Sequence, residues 1–484
     1  MGEACVQPVN KALRGAVDRQ RSVVREAAMA QSLKFGTSGL RGLAVDLAGP
    51  ESRRYAAAFL AHLRRRGPVA RLLVGRDLRD SSPAIAAAVM AALDAEVIDC
   101  GELPTPALAL EALRQRAPAI MVTGSHIPAD RNGLKFYRAD GEIGKADEAG
   151  ILAALGDAPA HGRLAVFEPG ALGRYAARYA HLLPQGALGG WRIGVWQHSS
   201  VARTLLVEAL AAFGAEIVVL GRSEAFVPVD TEAVSAEAAA MLAGWVREHR
   251  LDALVSADGD GDRPLLVDET GALVRGDVIG ALTARFLGAE IVVTPVTSNS
   301  AIEATGFFRE VVRTRVGSPY VIAGMEGAEG VVVGFEANGG VLLGSAVTRN
   351  GAQLTALPTR DALLPILSVL GAARAGGLAV SGLVGSLPPR FARSDRLEHV
   401  PAARAALLLD RLHADAAGFL RAQGAIAAVS DIDGLRYVLG SGEVIHYRPS
   451  GNAPELRCYV EAATPERAEA LLGWGLAAAE AVVR

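Results

Sequence analysis

The feature that most restricts how this chain can fold is a pattern that recurs three times. Short apolar segments at 71–74 (RLLV), 192–195 (RIGV) and 290–293 (EIVV) each lead into a polar turn and then an alanine-rich stretch. A second such segment follows at 96–99, 216–220 and 310–313, and a third at 119–122, 252–255 and 330–333. Apolar runs this short, alternating with helical stretches, predict buried strands in parallel α/β sheets. Their recurrence predicts three related α/β units.

The unusual polar loops all come directly after the third segment of a unit: TGSHIPADRNG (123–133), DGDGDR (258–263) and FEANGG (335–340). Ligands of open parallel sheets sit outside the carboxyl ends of the strands, so three such loops predict one composite site in a central cleft. The glycine- and alanine-rich stretch 371–386 reads as a linker. Beyond it, LPPRFARSDRL (387–397) opens a differently patterned region with a helix near 402–423, a loop RPSGNAPELR (448–457) and a last helix from Pro465. The expected fold is three related α/β domains with mixed, mostly parallel sheets plus a smaller C-terminal α+β domain. Expected boundaries are 32–168, 169–272, 273–380 and 381–484, preceded by an N-terminal extension, 1–31. That extension carries Arg14, Arg19, Arg21 and Arg25 but no apolar segment, unlike a secretory signal, and Met29 offers a second start.

Composition excludes several classes. With 49 Lys+Arg against 52 Asp+Glu, the 484 residues have a net charge of −3 and no basic footprint for nucleic acid. No uninterrupted apolar run reaches the ~18 residues of a membrane span; Arg285 and Glu290 break the best candidate. Three separated cysteines, Cys5, Cys100 and Cys458, form neither a disulfide framework nor a zinc pattern, and predict a reducing cytoplasmic setting. Only four basic residues are lysines (Lys11, Lys34, Lys135, Lys145). That bias reflects genome composition, yet it singles out a retained lysine as a place where arginine will not serve, since only lysine readily gives up a proton.

DGDGDR puts carboxylates at Asp258, Asp260 and Asp262, two residues apart, where an extended loop can converge them on one hard cation. Glu269 falls at the twelfth position of a calcium loop, but Arg263 stands where that loop needs glycine and apolar strands flank it. Mg²⁺ is therefore expected ahead of Ca²⁺ or a merely solvated acidic turn. Ser125 lacks the G-x-S-x-G setting of an acyl-transfer serine; beside a metal loop it becomes a candidate phosphate carrier. Lys135 follows on the next predicted strand, 134–137. In RPSGNAP, Arg448 can grip phosphate oxygens, with Ser450, the Gly451 amide and Asn452 as further donors. Glu336 could accept two adjacent sugar hydroxyls or be a surface carboxylate.

Together and in this order, the loops resemble those of the α-D-phosphohexomutase superfamily, the phosphoglucomutase and phosphomannomutase enzymes. The resemblance runs from KFGTSGLRG (34–42) through the serine, metal and FEANGG loops to RPSGNAPELR. It implies that Ser125 carries a phosphoryl group and that Asp258, Asp260 and Asp262 hold Mg²⁺ together with that phosphate. Arg41 and Lys135 match residues beside the transferring phosphate with a general acid/base role; His126 and Arg263 match neighbours of the phosphoserine. Glu336 matches the sugar-gripping residue, Asn338 and the Gly317–Ser318 turn lie beside it, and Arg448, Ser450, Gly451 and Asn452 hold the phosphate that does not react.

The implied activity interconverts hexose 1- and 6-phosphates through a hexose 1,6-bisphosphate, with mannose phosphate expected first and glucose phosphate second. EANG also resembles the acetylglucosamine phosphate mutases. Ile127 replaces the usual asparagine of the serine loop, Asn338 a serine and Asn452 a threonine, and GSPY (317–320) lacks a sugar-contacting histidine or lysine. These departures bear on specificity rather than chemistry. A metal-dependent phosphatase and a non-catalytic sugar-phosphate binder are the other classes; Ser125, Lys135 and the aspartates argue against both. The expected partner is a small hexose phosphate, with no nucleic acid or membrane, on a monomer or weak homodimer. Lys135 is expected to have its pKa lowered by a cationic neighbour such as Arg41.

Overall fold

The structure is a computed structural model that describes residues 33–36, 39–158, 164–450 and 454–484. The expected N-terminal extension, and Gly451 and Asn452 of the phosphate loop, lie outside the described residues.

Each of the three recurrent units is a mixed sheet with a parallel core. In the first, strand Arg71–Arg76 lies between Glu96–Glu102 and Ala119–Val122, all parallel. In the second, Arg192–His198 lies between Glu216–Arg222 and Ala253–Ala257. In the third, Ile291–Pro295 lies between Glu310–Thr314 and Val332–Phe335. The third strand of every unit then turns back as an antiparallel hairpin, onto Arg131–Arg138, Pro264–Asp268 or Val341–Leu343. The three polar loops are the tips of those hairpins. A short connection from a strand end can only return antiparallel, which is how each unit delivers a compact loop at the carboxyl edge of its sheet.

In the first unit the sheet extends further: Gly39–Leu43 pairs with Arg131–Arg138, setting Leu40 opposite Leu134 and Arg41 opposite Gly133. The close fit depends on Gly133, whose absent Cβ would lie 2.5 Å from the Leu40 carbonyl oxygen. The fourth region is wholly antiparallel, ordered Phe391–Glu398, Glu455–Ala462, Val444–Pro449, Leu435–Leu439, Ile426–Ser430, with helices Ala402–Leu420 and Pro465–Val483 packed on it.

The expected linker at 371–386 is corrected by the structure. Leu363–Ala375 is one helix, and Ile366, Leu367, Val369, Leu370 and Ala373 are buried in a core shared by the three α/β units. Gly371 allows it to pack tightly, because a Cβ there would lie 2.2 Å from Leu183. A second helix, Val380–Val384, follows before the chain enters the fourth sheet at Phe391. Gly371 serves close packing, while Gly376 and Gly377 lie in the exposed turn between the two helices. Among the described residues no helix is long and apolar enough to cross a membrane.

Candidate active site

Ser125 sits where the chain leaves the central strand Ala119–Val122, with φ at +53°. That left-handed conformation is unfavourable for a residue with a side chain, so neighbouring contacts must hold it. The Ser125 amide donates to Thr123 Oγ1 at 2.8 Å, and Thr123 Oγ1 donates to Asp77 at 2.7 Å. Arg79, only 1% exposed, spans the loop from beneath. Its guanidinium donates to the carbonyls of Ser125 (2.9 Å), Ile127 (2.6 Å), Pro128 (2.8 Å) and Arg131 (2.9 Å). It also lies 3.9 Å from the centre of the Phe226 ring, which belongs to the second unit. Gly124 leaves room for this side chain, since a Cβ there would sit 2.6 Å from the guanidinium carbon.

The metal loop meets the serine directly. Ser125 Oγ donates to Asp258 Oδ2 at 2.5 Å and lies 3.3 Å from His126 Nδ1. Asp258, Asp260 and Asp262 are buried and each offers an oxygen within 4.8 Å of the others. Asp258 Oδ1 accepts the amides of Asp262 and Arg263, both at 3.1 Å, which pins the loop. Lys135 Nζ bridges Asp260 Oδ2 and Asp262 Oδ2, both at 2.6 Å, and the Thr105 hydroxyl also donates to Asp260. Among the described residues Asp260 Oδ1 and Asp262 Oδ1 accept no hydrogen bond although both are buried. Burial together with Asp260 and Asp262 pushes the Asp258 carboxyl well above its ordinary range. Three buried carboxylates offering oxygens this close together, two of them with an oxygen left without a donor, are the donor set of a hard divalent cation, and the site fits one.

The expectation for Lys135 is corrected. Burial is the largest single influence and pulls its pKa down, but Asp260 and Asp262 more than offset it, so the ammonium ends above its ordinary value. Its decisive neighbours are carboxylates from the second unit, not Arg41.

A cavity of about 470 Å³ walled by all four regions adjoins these groups through His126, beside Ser125, and through Arg360, bonded to Asp262. Arg41, His126 and Arg263 line one side with Glu336, Asn338, Gly317 and Arg360; Arg448, Ser450, Arg457 and Tyr459 face them from the fourth region. Burial, then Arg263 and Arg360, lowers the Arg41 pKa to about 10. Burial, Arg263 and Arg41 likewise hold His126 far below its ordinary value and so neutral. Cations that weaken one another's hold on protons mark a pocket short of negative charge, as an anion-binding site is.

Glu336 is gripped by Arg360 Nη1 at 2.8 Å, and the other arm of Arg360 reaches Asp262 Oδ2 at 2.9 Å. Asn338 Oδ1 accepts the Gly340 amide at 3.0 Å, and its carbonyl accepts the Thr231 hydroxyl at 2.9 Å. Gly317 lines the cavity with φ at +129°. Ser318 does not reach it: its hydroxyl donates to Glu142 Oε2 at 2.8 Å. Arg448 Nε is held by Asp433 Oδ2 at 2.7 Å, and the same oxygen accepts the Val316 amide at 3.0 Å, tying the fourth region to the third. Arg79, Asp77, Phe226, Arg360 and Asp433 carry no motif of their own and were not among the residues expected from sequence. The glycines that make room for the two buried arginines, Gly124 and Gly340, were the available signal.

Models of the phosphoglucomutase/phosphomannomutase family match in order: alpha/beta/alpha domain I over residues 32–159, domain II over 175–271, domain III over 275–391 and the C-terminal domain over 392–472. The chain belongs to the phosphoglucomutase/phosphomannomutase family. Among relatives of this mutase, a phosphomannomutase of Sinorhizobium fredii is 52% identical, the match covering 92% of this chain and 98% of the relative. A phosphomannomutase of Salmonella muenchen is 43% identical, over 90% of this chain and 93% of its own. The solved structure of a phosphoglucomutase/phosphomannomutase family protein from Burkholderia thailandensis shares the mutase fold. It aligns with a TM-score of 0.72 over 92% of this chain and 97% of that one, at 21% identity.

Proposed function

We propose that the protein is a cytoplasmic phosphomannomutase, interconverting mannose 1-phosphate and mannose 6-phosphate through a phosphoserine at Ser125 and a bound hexose 1,6-bisphosphate. The observation that carries this reading is Ser125 Oγ set 2.5 Å from Asp258 of the buried aspartate cluster, beside a cavity lined by arginines from all four regions. The relatives' names support mannose as the sugar. Buried free thiols at Cys100 and Cys458 suit a reducing compartment.

Asp258, Asp260 and Asp262, with an oxygen of the seryl phosphate, would hold a Mg²⁺ ion. When bound, it supplies charge neutralisation for the transferring phosphoryl group. Arg448 and Ser450 hold the phosphate already on the sugar, so its free hydroxyl points at phospho-Ser125. The P–O bond to Ser125 Oγ breaks as the bond to the sugar oxygen forms, and the proton that the sugar hydroxyl loses is relayed to the departing Ser125 Oγ. Lys135, charged and fixed by two carboxylates, stabilises the phosphoryl group electrostatically. His126 lies 3.3 Å from Ser125 Oγ, where burial, Arg263 and Arg41 keep its imidazole neutral, so it orients the seryl oxygen rather than taking up its proton. The bisphosphate then exchanges its ends, and the second phosphoryl group returns to Ser125. Enclosure by the fourth region keeps water from the phosphoserine.

The test is a comparison of initial rates with the 1-phosphates of mannose, glucose, glucosamine and N-acetylglucosamine. Mannose 1-phosphate is expected to give the highest kcat/KM, with glucose 1-phosphate second; preference for an amino sugar overturns the substrate assignment. Net release of inorganic phosphate in place of isomerisation overturns the reaction.

A further inference from the structure

We propose that Arg360 is a positioning residue that couples the sugar-recognition carboxylate to the metal carboxylates, its charge holding down the affinity of the aspartate triad for a divalent cation. The inference rests on the mutase reading and deepens it.

Arg360 lies on strand Leu357–Asp361 of the third unit and is 3% exposed. Its planar fork spans two carboxylates from different units. Nη1 reaches Glu336 Oε2 at 2.8 Å, while Nε and Nη2 reach Asp262 Oδ2 at 3.1 and 2.9 Å. Lysine, a single point charge, cannot make such a bridge. The second glycine of FEANGG makes room for it: a Cβ on Gly340 would lie 2.6 Å from Arg360 Cδ.

The bridge has two consequences. Asp262 Oδ2 receives both Arg360 and Lys135, which leaves Oδ1, without a hydrogen bond among the described residues and 3.7 Å from Arg263 Nε, as the oxygen open to a cation. Glu336 is fixed at the cavity wall by the same guanidinium, so the group that would meet the sugar and a group that would meet the metal share one rigid partner. A full positive charge on an oxygen of the triad also repels a divalent ion. Replacing it with a neutral side chain should tighten metal binding roughly tenfold, while the loosened Glu336 weakens sugar-phosphate binding. A purely structural arginine would loosen both sites when lost; opposite signs are specific to the coupling.

The experiment titrates Mn²⁺ into the full-length, dephosphorylated protein without substrate, reading free Mn²⁺ by electron paramagnetic resonance, and separately measures KM for mannose 1-phosphate. Arg360→Gln is expected to bind Mn²⁺ roughly tenfold more tightly than wild type, with KM raised roughly tenfold. Arg360→Lys keeps the charge but not the bridge, so its Mn²⁺ affinity stays within about threefold of wild type while KM rises at least about fivefold. Unchanged or weakened Mn²⁺ binding in a folded Arg360→Gln overturns the proposal. Should that variant not fold, an unchanged KM in Arg360→Lys overturns it. Asp260→Asn serves as the site control: Mn²⁺ binding that survives it removes the triad as the metal site, and this inference with it. The predicted shifts in an enzyme that prefers another hexose phosphate would leave the coupling standing and overturn only the substrate assignment.

Discussion

Replacing Arg79 with methionine tests whether the serine loop is held from below. The substitution keeps much of the apolar stem but removes donors from four main-chain carbonyls, at Ser125, Ile127, Pro128 and Arg131. It also leaves buried Asp77 without the guanidinium 3.4 Å away. Each charge-assisted hydrogen bond contributes about 1.5–3 kcal/mol net. The four share one side chain and are not additive, so the measured cost of breaking a buried ion pair, about 3–5 kcal/mol, is the better guide. For a unit of this size that corresponds to a fall of roughly 10 °C in the transition that includes it. Activity should fall further, because Ser125 then relaxes from φ +53° and its oxygen leaves the line of transfer; a displacement near 1 Å costs about a hundredfold. Scanning calorimetry and the mutase assay read the two effects. Adding Asp77→Asn removes the stranded charge and is expected to recover at least about 1 kcal/mol of stability but little activity. A single Arg79→Met variant with Tm within about 2 °C and kcat within about threefold of wild type would refute the reasoning.

Three further outcomes follow from the same geometry. Asp260→Asn, or EDTA treatment, should lower activity at least about a hundredfold; full turnover in a rigorously metal-free preparation contradicts the triad's role. Gly259→Ala would place a Cβ 2.7 Å from the Ser125 carbonyl oxygen and 2.8 Å from Phe226; kcat should drop by about a hundredfold with the fold retained by circular dichroism. Asp147 is disfavoured by burial, but bonds from His62, the Gly144 amide and Arg138 hold its pKa down to about 2 from 3.8. A depressed carboxyl pKa contributes stability that is present above pH 4 and lost as pH falls through the folded value. Asp147→Asn should therefore lower Tm at pH 7 and differ progressively less from wild type toward pH 2, whereas a pH-independent difference in Tm would remove the linkage.

Much of the fold was legible because short apolar strands repeat with the same spacing, and burial in a parallel core leaves that composition little freedom. The site loops were legible as well, since hairpin tips need polar and glycine residues that stand out against alanine-rich helices. What sequence concealed was tertiary. Arg79 and Arg360 are two arginines in a chain that uses arginine almost everywhere, and only packing reveals that both are buried. Scarcity draws attention to Lys135, yet its electrostatic setting comes from aspartates more than 120 residues away, which no local reading supplies. The 371–386 stretch misled because glycine and alanine mark both a flexible linker and a closely packed helix. Ser318 was adjacent to the right loop, but its side chain faces Glu142.

In the proposed reaction Ser125 Oγ carries the phosphoryl group between substrate positions. The most direct measurement is peptide mass spectrometry of the enzyme after incubation with a hexose 1,6-bisphosphate, run beside Ser125→Ala. The peptide spanning the 123–133 loop should gain one phosphoryl group at Ser125 and lose it when mannose 1-phosphate is added, while Ser125→Ala shows neither phosphorylation nor turnover. Phosphorylation at another residue, or wild-type interconversion by Ser125→Ala, would contradict the account.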